Sequence, residues 1–536
     1  MIEAKSKLGA ALAVHQKKLA MKRCYIELPK RWMDFYPLAR RMDRQITFIY
    51  GPTNSGKTHQ ALEYLKKSQT GAYLGPLRLL ALEVFDRLNE SGLPTSLITG
   101  ELVQEVDGAF HTSSTIEMLD LRKSVDVAVI DEFQMVLDLD RGSAWLQAFL
   151  GAPAKHLIVL GSQSALNAVR MLSKITGEPL KEIELKRLSP LLIDDHPIKL
   201  KNAPNGSALI VFSRQAVLSL ANHMRTQYGR KVSVIYGALS PEVRAEQARQ
   251  FRDGETEILV STDAIGMGLN LPIHTIIFTT IMKWNGVSEN RLDHSLTCQI
   301  SGRAGRFGLH EMGHVSATTQ DDLKFVSTML DRPLKDVTSP FAVGLSQQMA
   351  DSIARHLQTE SLVKIIEFFK ELMRLESWAK PNCSSDQILL AGLLDKSQLS
   401  LKDKLILSNA PAVDKGNINS HFPGFINYIS KETVETSSII TDSSASSNLE
   451  HLERCVKDAT LYSWMHYRFP DIFPRIKQSQ EILKKLNTTI TKLLAKAAGR
   501  RCNECSKPVP WNHPFGKCES CFNQGRYHRN YSENYY

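Results

Sequence analysis

Between residue 46 and about residue 161, short apolar runs alternate with longer stretches whose apolar residues recur at helical spacing. The runs at 46–50, 72–74, 96–99, 125–130 and 156–160 read as strands, and a second series follows at 208–212, 232–236, 257–261 and 275–279. Strands that alternate with helices build βαβ units, and the resulting parallel sheets are covered on both faces. The pattern therefore predicts an α/β fold of two tandem parallel-sheet domains, joined at 194–206, where Pro, Asn and Gly gather. Beyond about residue 330 the strand signal stops. Stretches 362–378, 449–467 and 477–498 have helical apolar spacing, and 437–448 is Ser-rich and reads as a loop or linker. The expected division is a helical extension at 1–44, a first domain at 45–200, a second at 201–330, a helical region at 331–498 and a tail at 499–536.

Composition narrows this picture only a little. The 536 residues exceed what one core supports, and a chain of this size usually splits into three or four domains. Lys and Arg number 66 against 56 Asp and Glu, a net charge of +10. A basic excess favours a polyanionic partner, although an ordinary solvated basic surface accounts for it too. No apolar run reaches the ~18–20 residues of a membrane span, so no membrane role is expected. Lys5, Lys7, Lys17 and Lys18 interrupt any secretory apolar segment. The same basic start leaves an organellar transit peptide open, while Glu3 and the short stretch before the first domain favour a cytoplasmic setting over the mitochondrial matrix.

The chemistry begins directly after the first strand. Gly51-Pro52-Thr53-Asn54-Ser55-Gly56-Lys57-Thr58 has the spacing of a phosphate-cradling loop that opens a helix. Backbone N–H groups would wrap the phosphates of a nucleoside triphosphate, Lys57 would reach the β- and γ-phosphates, and Thr58 would ligate Mg²⁺. The apolar run 127–130 ends in Asp131-Glu132-Phe133-Gln134. That places Asp131 at the metal and Glu132 at the attacking water, unless the two carboxylates simply cap the next helix. Far downstream, Gln299-Ile300-Ser301-Gly302-Arg303-Ala304-Gly305-Arg306 carries two Arg three apart. On a helix they share a face and can approach one γ-phosphate together, with Gln299 on the same side. Cations supplied by a second domain would couple hydrolysis to domain closure.

In order and spacing, these segments resemble the superfamily-two DExH/D-box helicases, and specifically the mitochondrial-degradosome (Suv-type) RNA helicases, with a bacterial member favoured. The resemblance runs from Tyr36-Pro37-Leu38-Ala39-Arg40 through the loop at 51–58, 75–81, Thr99-Gly100-Glu101, Thr115-Ile116-Glu117-Met118, 131–135 and Arg141-Gly142-Ser143-Ala144-Trp145. It continues in Phe212-Ser213-Arg214, 236–239, 261–270 and 299–308, so it covers roughly residues 30–330. It implies two RecA-like domains with ATP in the cleft, where Gly268 joins the nucleotide-binding set, and single-stranded nucleic acid across their tops. Arg78, Thr99, Gly100 and Thr115 match nucleic-acid-contacting positions of the first domain. Ser213, Arg214 and Thr262 match those of the second; turn and cap chemistry is the plain alternative for Thr99, Gly100 and Thr115. Leu160-Gly161-Ser162 departs from the Ser-Ala-Thr form expected where hydrolysis is linked to unwinding.

The tail carries Cys502-x2-Cys505-x12-Cys518-x2-Cys521, the spacing of a four-thiolate structural Zn²⁺ site. Basic and aromatic residues interleave around it, which suits single-strand binding or docking of a protein partner. The sequence thus implies an ATP-dependent nucleic-acid helicase that takes single-stranded or tailed duplex RNA, with DNA as the alternative substrate and an exoribonuclease or other RNA-decay protein as a partner. A nucleotide-gated RNA-binding scaffold is the reading from a different class, and the intact Lys57, Glu132, Arg303 and Arg306 weigh against it.

Overall fold

The computed structural model of the chain describes residues 2–266, 271–284, 288–305, 311–373, 375–436, 442–496 and 521. Eight strands form the first sheet: β1 (Gln45–Tyr50), β2 (Gly71–Gly75), β3 (Thr95–Ile98), β4 (Val103–Gln104), β5 (His111–Thr115), β6 (Val125–Ile130), β7 (Ala154–Gly161) and β8 (Leu180–Glu184). Their order is β4-β3-β5-β2-β6-β7-β1-β8, with every neighbouring pair parallel except β3 with β4. The second sheet contains β9 (Leu191–Ile193), β10 (Ser207–Ile210), β11 (Val232–Ile235), β12 (Ile258–Ser261) and β13 (Thr275–Phe278). A small antiparallel hairpin, β14 (Met282–Trp284) and β15 (Glu289–Arg291), precedes its last strand, β16 (Gly313–Ala317). The order is β11-β12-β10-β13-β16-β9, all parallel.

Four details differ from the sequence reading. Strand β5, His-Thr-Ser-Ser-Thr, has no apolar run to announce it, yet it lies between β2 and β3 and is largely buried. Its hydroxyls are satisfied locally: Ser113 Oγ donates to the Ala81 carbonyl at 2.6 Å. Strand β16 was also hidden by its Gly and His. Strand β9 belongs to the second sheet, so the crossover falls between Glu184 and Leu191, upstream of the expected boundary at 200. Short strands persist past residue 330, including a parallel pair of Phe341–Val343 with Ala379–Pro381.

The central strands have the continuous burial that helices on both faces require: Phe48, Ile49, Val129, Ile130, Ile158, Val159 and Leu160 are fully enclosed. The helix Gly142–Gly151 lies on this sheet, and its C-terminal carbonyls are capped by cations from the segment ahead of β1. Arg44 donates to the carbonyls of Phe149 and Ala152, both at 2.8 Å, and Arg40 to that of Leu150 at 2.8 Å. Cations suit a helix C-terminus because its last carbonyls lack helical partners. Glu178 balances the charge, accepting two hydrogen bonds from Arg44 at 2.7 Å each and lying 2.9 Å from Arg40. The motif-like Tyr36 and Arg40 therefore pack the floor of the first domain. A Cβ on Gly151 would stand 2.5 Å from the Tyr36 ring.

The helix Ile2–Glu27 runs against Gln347–Leu357, where Glu27 meets Arg355 and His356 at 2.6 Å each. The last two described helices, Leu449–His466 and Ile476–Lys496, pack along each other, and the second of them runs against the helix Pro241–Arg252 and β11.

Because Arg44 is buried, replacing it by Ala would leave the carbonyls of Phe149 and Ala152 without this donor and Glu178 with Arg40 alone. Arg44→Ala is expected to destabilise the first domain by about 3–5 kcal/mol. A urea-unfolding midpoint equal to wild type would show that the cluster carries no net stability.

A candidate nucleotide cleft and the face beside it

Strand β1 delivers the chain to Gly51, whose packing tolerates no side chain, since a Cβ there would stand 2.2 Å from the Leu185 carbonyl oxygen. Asn54 has φ 59° and Gly56 φ 85°, so the loop curls through left-handed positions before the helix Lys57–Lys66 begins. Such a loop points successive N–H groups inward above a helix N-terminus. Lys57 folds back over it, its Nζ donating to the carbonyls of Gly51 at 2.8 Å and Pro52 at 2.6 Å. Burial pulls the Lys57 pKa below the ordinary lysine value, while the carboxylates of Glu132 and Asp131 act against that and Arg303 reinforces it.

Strand β6 carries Asp131 to the same place. Its carboxyl is 4% exposed and accepts from Tyr73 Oη at 2.6 Å and from the Glu132 N–H at 2.8 Å. The Asp131 backbone carbonyl accepts from Trp145 Nε1 at 2.8 Å, which fixes the strand end. Trp145 stands on a helix whose first residue, Gly142, approaches the Val136 carbonyl so closely that a Cβ would lie 2.4 Å away. Arg141 also ties the carbonyl of Pro76 to the Glu117 carboxylate, both at 2.7 Å. The Arg-Gly-Ser-Ala-Trp segment is thus a brace for the acidic pair. Burial, then the adjoining Glu132 charge, pushes the Asp131 pKa up to about 6.

Glu132 sits at φ 53° and is held by Gln134, whose amide nitrogen donates to its carboxylate. The Gln134 carbonyl oxygen in turn accepts from the Ser162 N–H at 3.1 Å. Gly161, which departs from the expected Ser-Ala-Thr form, lies under this link, and a Cβ there would meet Gln134 Oε1 at 3.3 Å and Phe48 at 3.2 Å. The acidic pair is therefore joined to the loop after β7 through a side-chain amide.

The second sheet presents its arginine turn to this cluster. The helix His294–Ser301 ends before Arg303, and Gly305, at φ 72°, turns the chain away. Arg303 is thus on a turn beyond the end of that helix. Arg303 Nε donates to the Gly266 carbonyl at 3.0 Å, and Gln299 packs on Gly266. Burial lowers the Arg303 pKa, opposed by Glu132, Glu83 and Asp131, so four charged groups from two sheets share one field. The turn touches the nucleotide loop directly: Asn54 Nδ2 donates to the Gly305 carbonyl at 2.6 Å. Gly268 and Arg306 lie outside the described residues.

The other expected site residues lie beside the cleft. Thr99, Ser213 and Thr262 use their hydroxyls in local turns and a helix cap, accepting from the N–H groups of Leu102, Ala216 and Ala264. Thr115 is buried at the end of β5. Arg78 pairs with Glu101 at 3.4 Å and with Glu242 of the second domain at 3.6 Å. Arg214 is engaged by Glu453 at 3.0 Å, and the same carboxylate accepts from Tyr236 Oη at 2.7 Å. Glu453 belongs to the helix Leu449–His466, which also lays Trp464 against Gly100. Arg468 covers the Trp464 ring at 3.7 Å and donates to the Gly100 carbonyl at 3.0 Å. Burial pushes the Arg468 pKa down to about 10, opposed by Glu101. Glu453, Trp464 and Arg468 were missed by sequence reasoning, because a helical stripe gives no sign of the surface it meets.

Cys502, Cys505 and Cys518 lie outside the described residues, and Cys521 is buried. Among the described residues no cluster of three or more His, Cys, Asp or Glu is arranged around a metal position, and no helix is long and apolar enough to cross a membrane.

Comparison with known proteins follows the same divisions. Residues 29–185 match the model of the DEXQ-box helicase domain of Suv3, 186–308 the helicase conserved C-terminal domain, and 449–496 the C-terminal domain of ATP-dependent RNA helicase SUV3. The chain is 35% identical to a rice protein named ATP-dependent RNA helicase SUV3L, mitochondrial, over 88% of this chain and 65% of that one. It is 34% identical to the zebrafish ATP-dependent RNA helicase SUPV3L1, mitochondrial, over 87% and 63%. A Saccharomyces paradoxus protein, ATP-dependent RNA helicase SUV3, mitochondrial, is 33% identical over 93% of this chain and 70% of its own length. The chain therefore spans just under two thirds of the first two relatives.

The buried Asp131 generates a prediction. Its folded pKa is raised from 3.8 to about 6, so the stability it contributes at low pH is lost as pH rises through about 6. Asp131→Asn removes the buried charge, and the new amide can accept from the Glu132 N–H and donate to the Tyr73 oxygen. Without nucleotide, Asp131→Asn is expected to melt above wild type at pH 7.5, with the difference shrinking below about pH 6. Mg²⁺–ATP should no longer raise its melting temperature. A variant that melts below wild type at pH 7.5 contradicts this account.

Proposed function

The chain belongs to the SUV3 family of helicases, and on that footing we propose that it is an ATP-dependent RNA helicase. The observation that carries this reading is the arginine turn of the second domain seated on the nucleotide loop, where Asn54 Nδ2 donates to the Gly305 carbonyl, two residues past Arg303, at 2.6 Å. A site divided between two sheets works only when they meet, which ties hydrolysis to domain movement. ATP is the substrate held by the loop from Gly51 to Thr58. Oxygen donors alone, the Thr58 hydroxyl and the buried Asp131 carboxyl, suit a hard divalent cation. Mg²⁺ on that pair would neutralise phosphate charge as the terminal bond breaks.

Lys57 would release its loop carbonyls and turn to the phosphates. Glu132, held by Gln134, would orient and deprotonate the attacking water. Arg303, joined by Arg306, would balance the charge that develops on the transferred phosphoryl group. Single-stranded RNA would lie over the face marked by Arg78, Thr99, Gly100, Thr115, Ser213, Arg214 and Thr262, with the helix Leu449–His466 as one border. Family membership favours RNA over DNA, the mitochondrial matrix as the compartment, and work in RNA turnover beside an exoribonuclease. The tail thiolates of Cys502, Cys505, Cys518 and Cys521 would hold one structural Zn²⁺, contributing on the order of 10–16 kcal/mol of apparent binding energy to a module too small for its own core.

The test is ATP hydrolysis with single-stranded RNA and DNA, followed by unwinding of tailed duplexes of each. Stimulation and unwinding by RNA are expected; unwinding of DNA alone would overturn the RNA assignment, and absence of hydrolysis would overturn the enzyme. Lys57→Ala should abolish turnover. Glu132→Gln should bind ATP and stall, and Arg306→Ala should lower kcat by about 10³-fold or more. Turnover by Glu132→Gln at the wild-type rate would remove Glu132 from its role.

The tail gives a separate outcome. Elemental analysis of protein purified without chelator should find one zinc per chain, lost in Cys502→Ser, and removal of 500–536 should leave basal hydrolysis nearly intact. Zinc-free protein would eliminate the site.

A further inference from the structure

Arg187 stands in the short link between β8 and β9, and neither the motifs nor the functional reading above gives it a role. Its guanidinium is part-buried, and among the described residues every partner it contacts is an oxygen without formal charge. Nε donates to the Ser189 carbonyl at 2.7 Å. Nη1 donates to the Thr53 carbonyl at 3.1 Å, with Thr53 Oγ1 at 3.3 Å, and to the Gly302 carbonyl at 2.9 Å. Nη2 donates to the Ala304 carbonyl. Thr53 belongs to the nucleotide loop, and Gly302 and Ala304 are the residues on either side of Arg303.

Burial lowers the Arg187 pKa, and no neighbouring carboxylate is among the causes opposing it. A desolvated cation without a counter-ion is poor structural material, because carbonyls repay its lost hydration only when several converge. A planar guanidinium can meet divergent acceptors at once, which a lysine ammonium cannot do in this arrangement. The surrounding contacts serve the same junction. A Cβ on Gly302 would lie 1.9 Å from Thr53 Oγ1, so the two loops touch at a residue without a side chain. Leu188 N–H donates to the Asn54 carbonyl at 2.9 Å, fastening the link itself to the nucleotide loop.

We infer that Arg187 is a positioning residue for ATP hydrolysis, clamping the backbone on both sides of Arg303 to the backbone of the nucleotide loop so that cleft closure and delivery of the Arg303 guanidinium are one event. This rests on the ATPase reading above. Arg187 touches neither of the acidic groups and acts through the turn it holds. Removing it leaves the loop from Gly51 to Thr58 able to bind nucleotide, while the second-domain cation is delivered out of register. Misplacement of a reacting group by about 1 Å costs on the order of 10²-fold in rate.

The experiment uses the full chain with saturating single-stranded RNA, measuring kcat and KM for ATP and, separately, affinity for a fluorescent ADP. Wild type without ATPase would overturn the function proposed above, before this inference is reached. With active wild type, Arg187→Ala and Arg187→Lys should each lose about 10- to 100-fold in kcat. ADP affinity and thermal midpoint should stay near wild type. Methylguanidinium should partly restore kcat to Arg187→Ala and not to Arg187→Lys. Gly302→Ala, which forces the same two loops apart from the other side, should reproduce the loss of kcat with ADP affinity kept. An unchanged kcat in Arg187→Ala would overturn the inference. So would a loss matched by equal loss of ADP binding or of folding, since a merely structural residue would behave that way.

Discussion

The candidate cleft depends on two loops from different sheets meeting at close range. Gly302 reaches Thr53 at a distance that excludes even a methyl group, and Asn54 reaches the Gly305 carbonyl. The approach is close because Gly302 leaves its side of the junction without a side chain, while Thr53 and Asn54 reach across with theirs. It also accounts for the composition of both loops. Glycine on the arginine turn allows close approach, and a positive-φ asparagine on the nucleotide loop aims its amide across the gap.

Around that junction the first domain concentrates buried polarity. Asp131 is held by Tyr73, by the Glu132 N–H and, through its carbonyl, by Trp145. These partners come from β2, from the chain itself and from the helix Gly142–Gly151, so the acidic pair is fixed on three sides. Arg40 and Arg44 then close the far end of that same helix. Segments that resemble family motifs therefore serve two ends: some face the cleft, and others, Tyr36 to Arg40 and Arg141 to Trp145, keep the cleft's framework rigid.

Much of the architecture was legible because parallel strands covered on both faces carry apolar runs, as Phe48–Tyr50 of β1, Val127–Ile130 of β6, Ala208–Ile210 of β10 and Ile258–Val260 of β12 do. Strand β5 was illegible for the opposite reason, since its Ser and Thr hydroxyls bond within the fold and mimic a loop composition. Lys57, Asp131 and Glu132 lie together as their spacing suggests, because Lys57 opens the helix after β1 and the acidic pair directly follows β6. Arg303 was found by type but assigned to a helix, where Gly302 and Gly305 instead make a turn. Arg187 carries no local signal at all: its meaning comes only from residues 53, 302 and 304 meeting in space. Arg214 was expected among the nucleic-acid contacts of the second domain; its partner Glu453 comes from 239 positions downstream, a pairing no local pattern encodes.

The helix Leu449–His466 meets Gly100 on one domain through Trp464, with Arg468 just past its end donating to the same residue, and Arg214 and Tyr236 on the other through Glu453. A rod attached at two points to two bodies removes degrees of freedom from their relative motion. The domains cannot separate as free wings on a hinge at residues 185–190. Either one attachment gives way, or the rod travels with one body and levers against the other. The protein is in this respect a linkage of three members, and its stroke is set by whichever of the two joints on that helix yields first.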